Sequence, residues 1–145
     1  MIKNIPSRIS HLRYLVNTLI DKELKKRDIT DLHTSYGSII YSLQKNGSQS
    51  MKELAKAIGR DKSTLTVLIK KLEKNGYIIL EANKKDKRSK IVSLTNKGKG
   101  IKLDFEEISS NLNEALWSNI NEEETKIFEN ILNRMIKNIE SEIEK

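Results

Sequence analysis

Residues 83–90, NKKDKRSK, place five basic side chains around one carboxylate, Asp86. Apolar runs flank this stretch, YIIL before it and IVSL after it, which is typical of two short strands joined by a loop. We expect such a charged loop to project into solvent and to attract a polyanion. Arg88 is the only arginine of the loop. Its guanidinium suits the minor groove of A·T-rich DNA, because that groove is narrow and its negative potential is enhanced.

Two roles for Asp86 are open. Its carboxylate could hold the Arg88 guanidinium by a charge-assisted hydrogen bond and order that side chain before an anion arrives. It could instead be an ordinary turn residue, and the two roles are compatible.

The segment upstream of the loop predicts two short helices. Ser50 and Glu53 have the spacing of a capping box, and Gly59 is a helix terminator. Asp61 is then well placed as the N-cap of a second helix that ends at Gly76. About three residues separate the two helices, so the pattern indicates a helix-turn-helix.

The second helix buries a stripe of Leu65, Leu68, Ile69 and Leu72, which fixes its outward face. That face mixes lysines with Ser, Thr and Val, a combination suited to phosphates, base edges and thymine methyls in a major groove. The alternative is an exposed lysine helix of a small α-protein. The candidate contacts are Arg60, Lys62, Ser63, Thr64, Thr66, Val67, Lys70 and Lys71 from the helices, and Lys84, Lys85, Lys87, Arg88 and Lys90 from the loop.

Charge is unevenly distributed along the 145 residues. Residues 51–100 hold 14 basic and 5 acidic side chains, a net charge of +9, whereas residues 101–145 hold 5 and 11, a net charge of −6. Such a local positive block suggests a polyanion partner, and the alternative is a lysine-rich solvated surface. The sequence has no cysteine, no long apolar run and no nucleophile–base or phosphate-loop motif. We therefore expect a cytoplasmic protein that is not an enzyme and needs no cofactor or metal.

The remaining chain predicts helices from Pro6 to about Arg27 and from Thr34 to Gln44, one capped by Thr95, and a last one capped by Asn121 and Glu124. Together the first helix and the last two carry more apolar surface than a small domain needs. We expect a second copy of the chain to cover it.

The segment DKRSKIVSLTNKG, Asp86–Gly98, resembles the wing signature of the MarR family of winged helix-turn-helix regulators. ELAKAIGRDKSTLTVLIKKLEKNGYI, Glu53–Ile78, is similar to that family's helix-turn-helix. The resemblance implies a mainly α fold with a small β-hairpin, in one domain over 1–145. It places the winged lobe at about 33–98 and dimerisation helices at about 5–27 and 96–145.

The resemblance also implies a homodimer that binds a pseudo-palindromic operator in double-stranded DNA and represses transcription until a small aromatic or phenolic effector binds. Members of the family that sense oxidation do so through cysteine, and this chain has no cysteine. The residues that resemble the walls of the family's effector pocket are His11, Tyr14, His33, Tyr36 and Tyr41, and their alternative role is in the core or the dimer interface. The alternative function is a general nucleic-acid-binding winged helix without ligand control.

Overall fold

The computed structural model describes residues 4–145, the side chain of Ser35 excepted. The chain folds into two compact units, Met1–Ser109 and Ser110–Lys145. The helices are α1 (Ile5–Lys26), α2 (Thr34–Asn46), α3 (Met51–Ile58), α4 (Lys62–Lys74), α5 (Asn96–Gly100), α6 (Lys102–Leu116) and α7 (Glu122–Ile143). The strands are β1 (Gln49–Ser50), β2 (Ile78–Ala82) and β3 (Lys90–Leu94). The prediction of a mainly α fold with a small hairpin is confirmed.

Local capping explains where the helices of the first unit begin and end. At α3 the Ser50 hydroxyl accepts from the Glu53 N–H at 3.1 Å, and the Glu53 carboxylate accepts from the Ser50 N–H at 3.2 Å, so the predicted capping box is confirmed. Gly59 then ends α3 with φ 65°, a left-handed conformation that glycine adopts without steric cost. The two helices are therefore separated by the short turn that the sequence predicts.

The sheet has three antiparallel strands in the order β1-β3-β2. In the central strand, Val92 lies opposite Gln49 on one side and Leu80 on the other, and its side chain is fully buried. The predicted hairpin is confirmed, with β2 beginning one residue later and extending two residues further than YIIL. Strand β1 was not predicted, because two residues between a glycine turn and a helix cap carry no alternating pattern.

The core of the first unit is formed by α2, α3, α4 and the sheet, with Leu24 of α1 and Ile108 of α6. Its buried apolar side chains are Leu24, Ile29, Leu32, Tyr36, Ile39, Ile40, Leu43, Leu54, Leu65, Ile69, Leu72, Tyr77, Ile78, Val92 and Ile108. The core thus holds α4 against the sheet by its apolar stripe.

The second unit contains the end of α6 and all of α7. Its capping box is confirmed, since the Asn121 Oδ1 accepts from the Glu124 N–H and the Glu124 carboxylate accepts from the Asn121 N–H, both at 2.9 Å. Trp117 and Phe128 meet edge to face with ring centroids 6.0 Å apart. No side chain of α7 is buried within the described chain. None of the helices in residues 4–145 is both long and apolar enough to cross a membrane.

The helix capped by Thr95 is divided into two, which corrects the prediction of one continuous helix. The Thr95 hydroxyl accepts from the Gly98 N–H at 3.2 Å, and α5 has only five residues, with Ile101 as its C-cap. At Gly98 the chain passes so close to the residue before β2 that an added Cβ would lie 2.3 Å from the Tyr77 carbonyl oxygen and 2.9 Å from Leu94 Cδ2. Only glycine fits there without a shift of the backbone.

We expect Gly98→Ala to destabilise the protein by about 1–3 kcal/mol, because a methyl group forced against backbone atoms displaces packed structure. Urea denaturation followed by circular dichroism measures this loss. Gly100→Ala is the matched control, since a Cβ at Gly100 meets nothing within 4 Å and alanine favours a helix. Equal stability of the two variants would show that the close approach at Gly98 is unimportant.

Candidate nucleic-acid interface

The candidate interface begins with the cap of α4. The Asp61 carboxylate accepts from the Thr64 N–H at 2.7 Å and from the Ser63 hydroxyl at 2.9 Å. These hydrogen bonds, that from the Thr64 N–H first, lower the pKa of the Asp61 carboxyl below its ordinary value of 3.8. The cap therefore carries a negative charge at neutral pH, which also suits the positive end of a helix dipole.

The burial of Leu65, Ile69 and Leu72 leaves the predicted contact residues of α4 on the outside. Val67 is 56% exposed, and among the predicted α4 contacts only Thr66 is half-buried. An exposed valine on a helix with a well-formed core is available for an apolar contact with a partner, such as a thymine methyl.

Two hydroxyls of this face are already used as donors. Thr66 Oγ1 donates to the Lys62 carbonyl oxygen at 2.8 Å, and Ser63 Oγ donates to Asp61. Each hydroxyl oxygen keeps lone pairs that can accept from a partner. In this conformation the two hydroxyls therefore present acceptors to a partner.

The loop between β2 and β3, residues 83–89, is held by hydrogen bonds to its own backbone. Asp86 Oδ1 accepts from the Arg88 N–H at 3.0 Å, and Asn83 Oδ1 accepts from the Lys85 N–H at 3.0 Å. Asp86 therefore has the turn role that the sequence allowed. In the part of the chain that the structure describes, no ion pair joins Asp86 to Arg88, and the proposed hold on the guanidinium stays a prediction.

A groove of ≈ 560 Å³ connects the helix and the hairpin. Lys62, Thr66 and Lys70 of α4 line it together with Arg88 and Lys90. Its apolar floor is formed by Met51, Ala55, Ile69 and Leu80. The structure thus brings part of the predicted helix set and part of the predicted loop set onto one concave cationic surface.

The other predicted contacts are exposed but do not line the groove. They are Arg60, Ser63, Thr64, Val67, Lys71, Lys84, Lys85 and Lys87. Sequence reasoning missed Lys52, the second residue of α3, which lines the groove. The capping box fixed where α3 begins and could have placed this lysine on the same surface.

The five predicted effector-pocket residues are dispersed. Tyr36 is 8% exposed and belongs to the core, which is the alternative role that the sequence allowed. Tyr41 lines a second concavity of ≈ 460 Å³ with Gln44, Lys45, Lys102, Phe105, Glu106 and Ser109. His11, Tyr14 and His33 are exposed, and none of them lines this pocket.

His33 has only a loose acidic neighbour. Its Nε2 lies 3.9 Å from the Asp21 carboxylate. Within residues 4–145 no three His, Asp or Glu side chains are grouped as metal ligands would be.

The chain is similar to known proteins in family, in sequence and in structure. The MarR family pattern matches residues 35–90. The HTH-type transcriptional regulator SarZ of Staphylococcus epidermidis is 31% identical over 133 residues, which cover 86% of each chain. A MarR protein of Peptoclostridium difficile has a TM-score of 0.85 at 27% identity and covers 98% of this chain and 94% of its own.

The complex of Staphylococcus aureus MepR with DNA contains a protein of the same fold. Its TM-score is 0.84 at 21% identity, covering 94% of this chain and 99% of its own.

The cap of α4 generates a prediction with a defined pH dependence. Because the folded pKa of Asp61 is lowered, the charged cap stabilises the protein above the unfolded pKa, and this contribution is lost as pH falls through the folded pKa. We expect Asp61→Ala to lower the melting temperature at about pH 7 and to lower it less at about pH 2. Asp61→Asn keeps a capping oxygen and should retain most of the stability without this pH dependence. A penalty in Asp61→Ala that is independent of pH would contradict the role of the charge.

Proposed function

The chain belongs to the MarR family of DNA-binding transcriptional regulators, and from this premise we propose that it binds a specific, pseudo-palindromic operator as a homodimer and acts as a ligand-responsive repressor. Membership of this family makes the protein a regulator rather than an enzyme. The proposed function needs four things of the molecule: DNA contacts, a wing arginine, a dimer and an effector site.

The single observation that carries the DNA contacts is the shared cationic groove. Lys62, Thr66 and Lys70 of α4 line it together with Arg88 and Lys90 of the hairpin. We assign α4 to the major groove as the recognition helix, with Ser63, Thr66 and Val67 at base edges. The lysines neutralise backbone phosphates and position the protein. The complex of MepR with DNA supports this use of the fold.

The hairpin is the wing, and Arg88 is its minor-groove side chain. The backbone turn made by Asp86 holds the Arg88 main chain while leaving its guanidinium exposed. Arginine is favoured where an A·T-rich minor groove is narrow. Lys84, Lys85 and Lys87 contact the flanking phosphates without reading sequence.

The dimer is supported by apolar surface on α1 and on α7, each considered separately. On α1, Ile9, Leu12 and Leu15 are 47–49% exposed. On α7, Ile127, Phe128, Ile131, Ile136, Ile139 and Ile143 are all exposed. Exposed apolar stripes of this kind mark an interaction surface. In a symmetric dimer, a second copy of the chain buries them.

The effector site is assigned to the pocket lined by Tyr41 and Phe105. Two aromatic rings with Lys45 and Lys102 suit a small aromatic carboxylate or phenolate, since apolar walls with a few polar groups are typical of ligand sites. The Lys45 ammonium lies 6.0 Å from the Tyr41 ring centroid, so the cation and the ring already face the same space. Of the five predicted residues, Tyr41 remains in this proposal.

The alternative is a winged helix that binds nucleic acid generally, without ligand control. Both functions use the cationic groove, but only a specific regulator keeps a large affinity ratio between an operator and random DNA as salt is raised. Selection of duplexes from a random library, followed by salt-titrated binding, separates them.

We expect Arg88→Ala to weaken binding to the selected duplex by roughly tenfold, with the loss concentrated on A·T-rich flanks. Fluorescence anisotropy against duplexes with A·T-rich and G·C-rich flanks measures it. Lys87→Ala is the matched control, because it removes the same charge one residue away and should weaken both duplexes by a similar, smaller factor. Unchanged affinity in Arg88→Ala would remove Arg88 from the minor groove.

We expect a dimeric mass in sedimentation at micromolar concentration. Ile131→Glu on α7 should shift this mass towards the monomer, because a charge would be buried in the interface. Asn133→Glu, which changes an exposed polar residue of the same helix, should remain dimeric. A monomeric wild type that binds the full operator would contradict the proposed assembly.

A further inference from the structure

One acidic residue outside the groove, Asp31, makes hydrogen bonds to three residues of the winged lobe through its carboxylate and its backbone oxygen. Asp31 lies in the loop between α1 and α2. Its Oδ1 accepts from the Tyr77 hydroxyl, and its Oδ2 accepts from Lys97 Nζ at 2.6 Å. Its backbone oxygen accepts from Asn75 Nδ2 at 3.0 Å.

Each of these partners sits at a junction of the lobe. Asn75 is the C-cap of α4, Tyr77 directly precedes β2, and Lys97 follows β3 in α5. The Lys97 ammonium also donates to the Asn75 carbonyl oxygen at 2.8 Å and lies 4.3 Å from the Tyr77 ring centroid. Asp31 therefore joins the end of the recognition helix to both ends of the wing.

The whole hydrogen-bond network stabilises this junction more than the ion pair between Lys97 and Asp31 does alone. The side chains of Lys97 and Asp31 are 48% and 39% exposed, so a simple pair between them would contribute little. The Tyr77 residue, however, is 2% exposed, and its hydroxyl hydrogen-bonds to this carboxylate. Loss of the acceptor would leave a largely buried hydroxyl without that partner.

The protonation states of Asp31 and Tyr77 are those that their hydrogen bond requires. Burial alone would raise the pKa of Asp31, but the hydrogen bonds from Lys97 and Tyr77 outweigh it and lower that pKa. Burial and then the Asp31 carboxylate raise the pKa of Tyr77. At neutral pH the carboxylate is charged and the phenol is a donor.

We propose that Asp31 is a positioning residue for DNA reading, which fixes the wing relative to α4 so that both can contact one duplex at the same time. This inference rests on the proposed function. Asp31 and Lys97 lie outside residues 35–90, the segment matched by the family pattern, so the family match does not itself supply this role.

The proposal requires that the effects of Asp31 and Arg88 on DNA affinity are coupled, although the two residues are not bonded to each other. In the described chain no hydrogen bond or ion pair joins Asp31 to Arg88, which lies in the loop between β2 and β3. If Asp31 sets the position of the wing, the guanidinium reaches its groove only when Asp31 is present. If Asp31 affects stability alone, the two residues act independently on DNA affinity.

A double-mutant cycle of Asp31→Asn and Arg88→Ala tests this coupling. The probe is the duplex of highest affinity that the wild type selects from a random library, compared with a random duplex of equal length. We expect Asp31→Asn to lower the affinity for the selected duplex by about tenfold and to remove most of the further loss caused by Arg88→Ala. Asp28→Asn is the control, because it makes the same charge change three residues away, at an exposed position, and should leave the Arg88→Ala loss intact.

Lys97→Gln gives a second, independent cycle with Arg88→Ala if Asp31→Asn folds poorly, as judged by its melting curve. Lys99→Gln, an exposed lysine of the same helix, is its control. Coupling in the Asp31 or Lys97 cycle, and its absence in both controls, supports the positioning role. Additive losses in folded Asp31→Asn and Lys97→Gln would overturn it while leaving the proposed function in place. A wild type that selects no duplex would overturn the proposed function and this inference with it.

Discussion

The burial of Leu65, Ile69 and Leu72 fixes the rotation of α4 about its own axis, and every proposed contact of that helix depends on this rotation. A helix turns by about 100° per residue, so a change of one position in the buried stripe would direct different side chains outward. The Asp61 cap fixes the first turn in the same register. Together, core and cap make the composition of the outward face a consequence of sequence spacing.

The wing must hold several positive charges close together. Ion pairs within the loop would neutralise the charge that attracts DNA. The loop instead uses Asn83 and Asp86 to bind backbone N–H groups, which orders the main chain and leaves the lysines and Arg88 exposed. Asp86, the single acid of the loop, thus orders the turn through one carboxylate oxygen.

Local signals explain how much could be predicted from the sequence. Caps, terminators and apolar stripes depend on residues within one or two turns, and the helix-turn-helix, the hairpin and the last helix followed from them. Strand β1 depends on pairing with β3 more than forty residues later, and the close approach of Gly98 to Tyr77 is likewise a contact between distant residues. Tyr36 was ambiguous for the same reason, because only the tertiary fold decides whether a helical tyrosine faces the core or a pocket.

The same division between local and distant contacts applies to the candidate site. The proposed reading side chains are defined locally, on α4 and on the loop, and the sequence was enough to name them as candidates. Their relative placement is set by contacts between residues 44 to 66 positions apart, through Asp31, Asn75, Tyr77 and Lys97. Two regulators with identical recognition helices and wing tips could therefore read DNA differently if these junctions differ. Specificity in this fold is a property of the geometry between two reading elements as well as of the residues they carry.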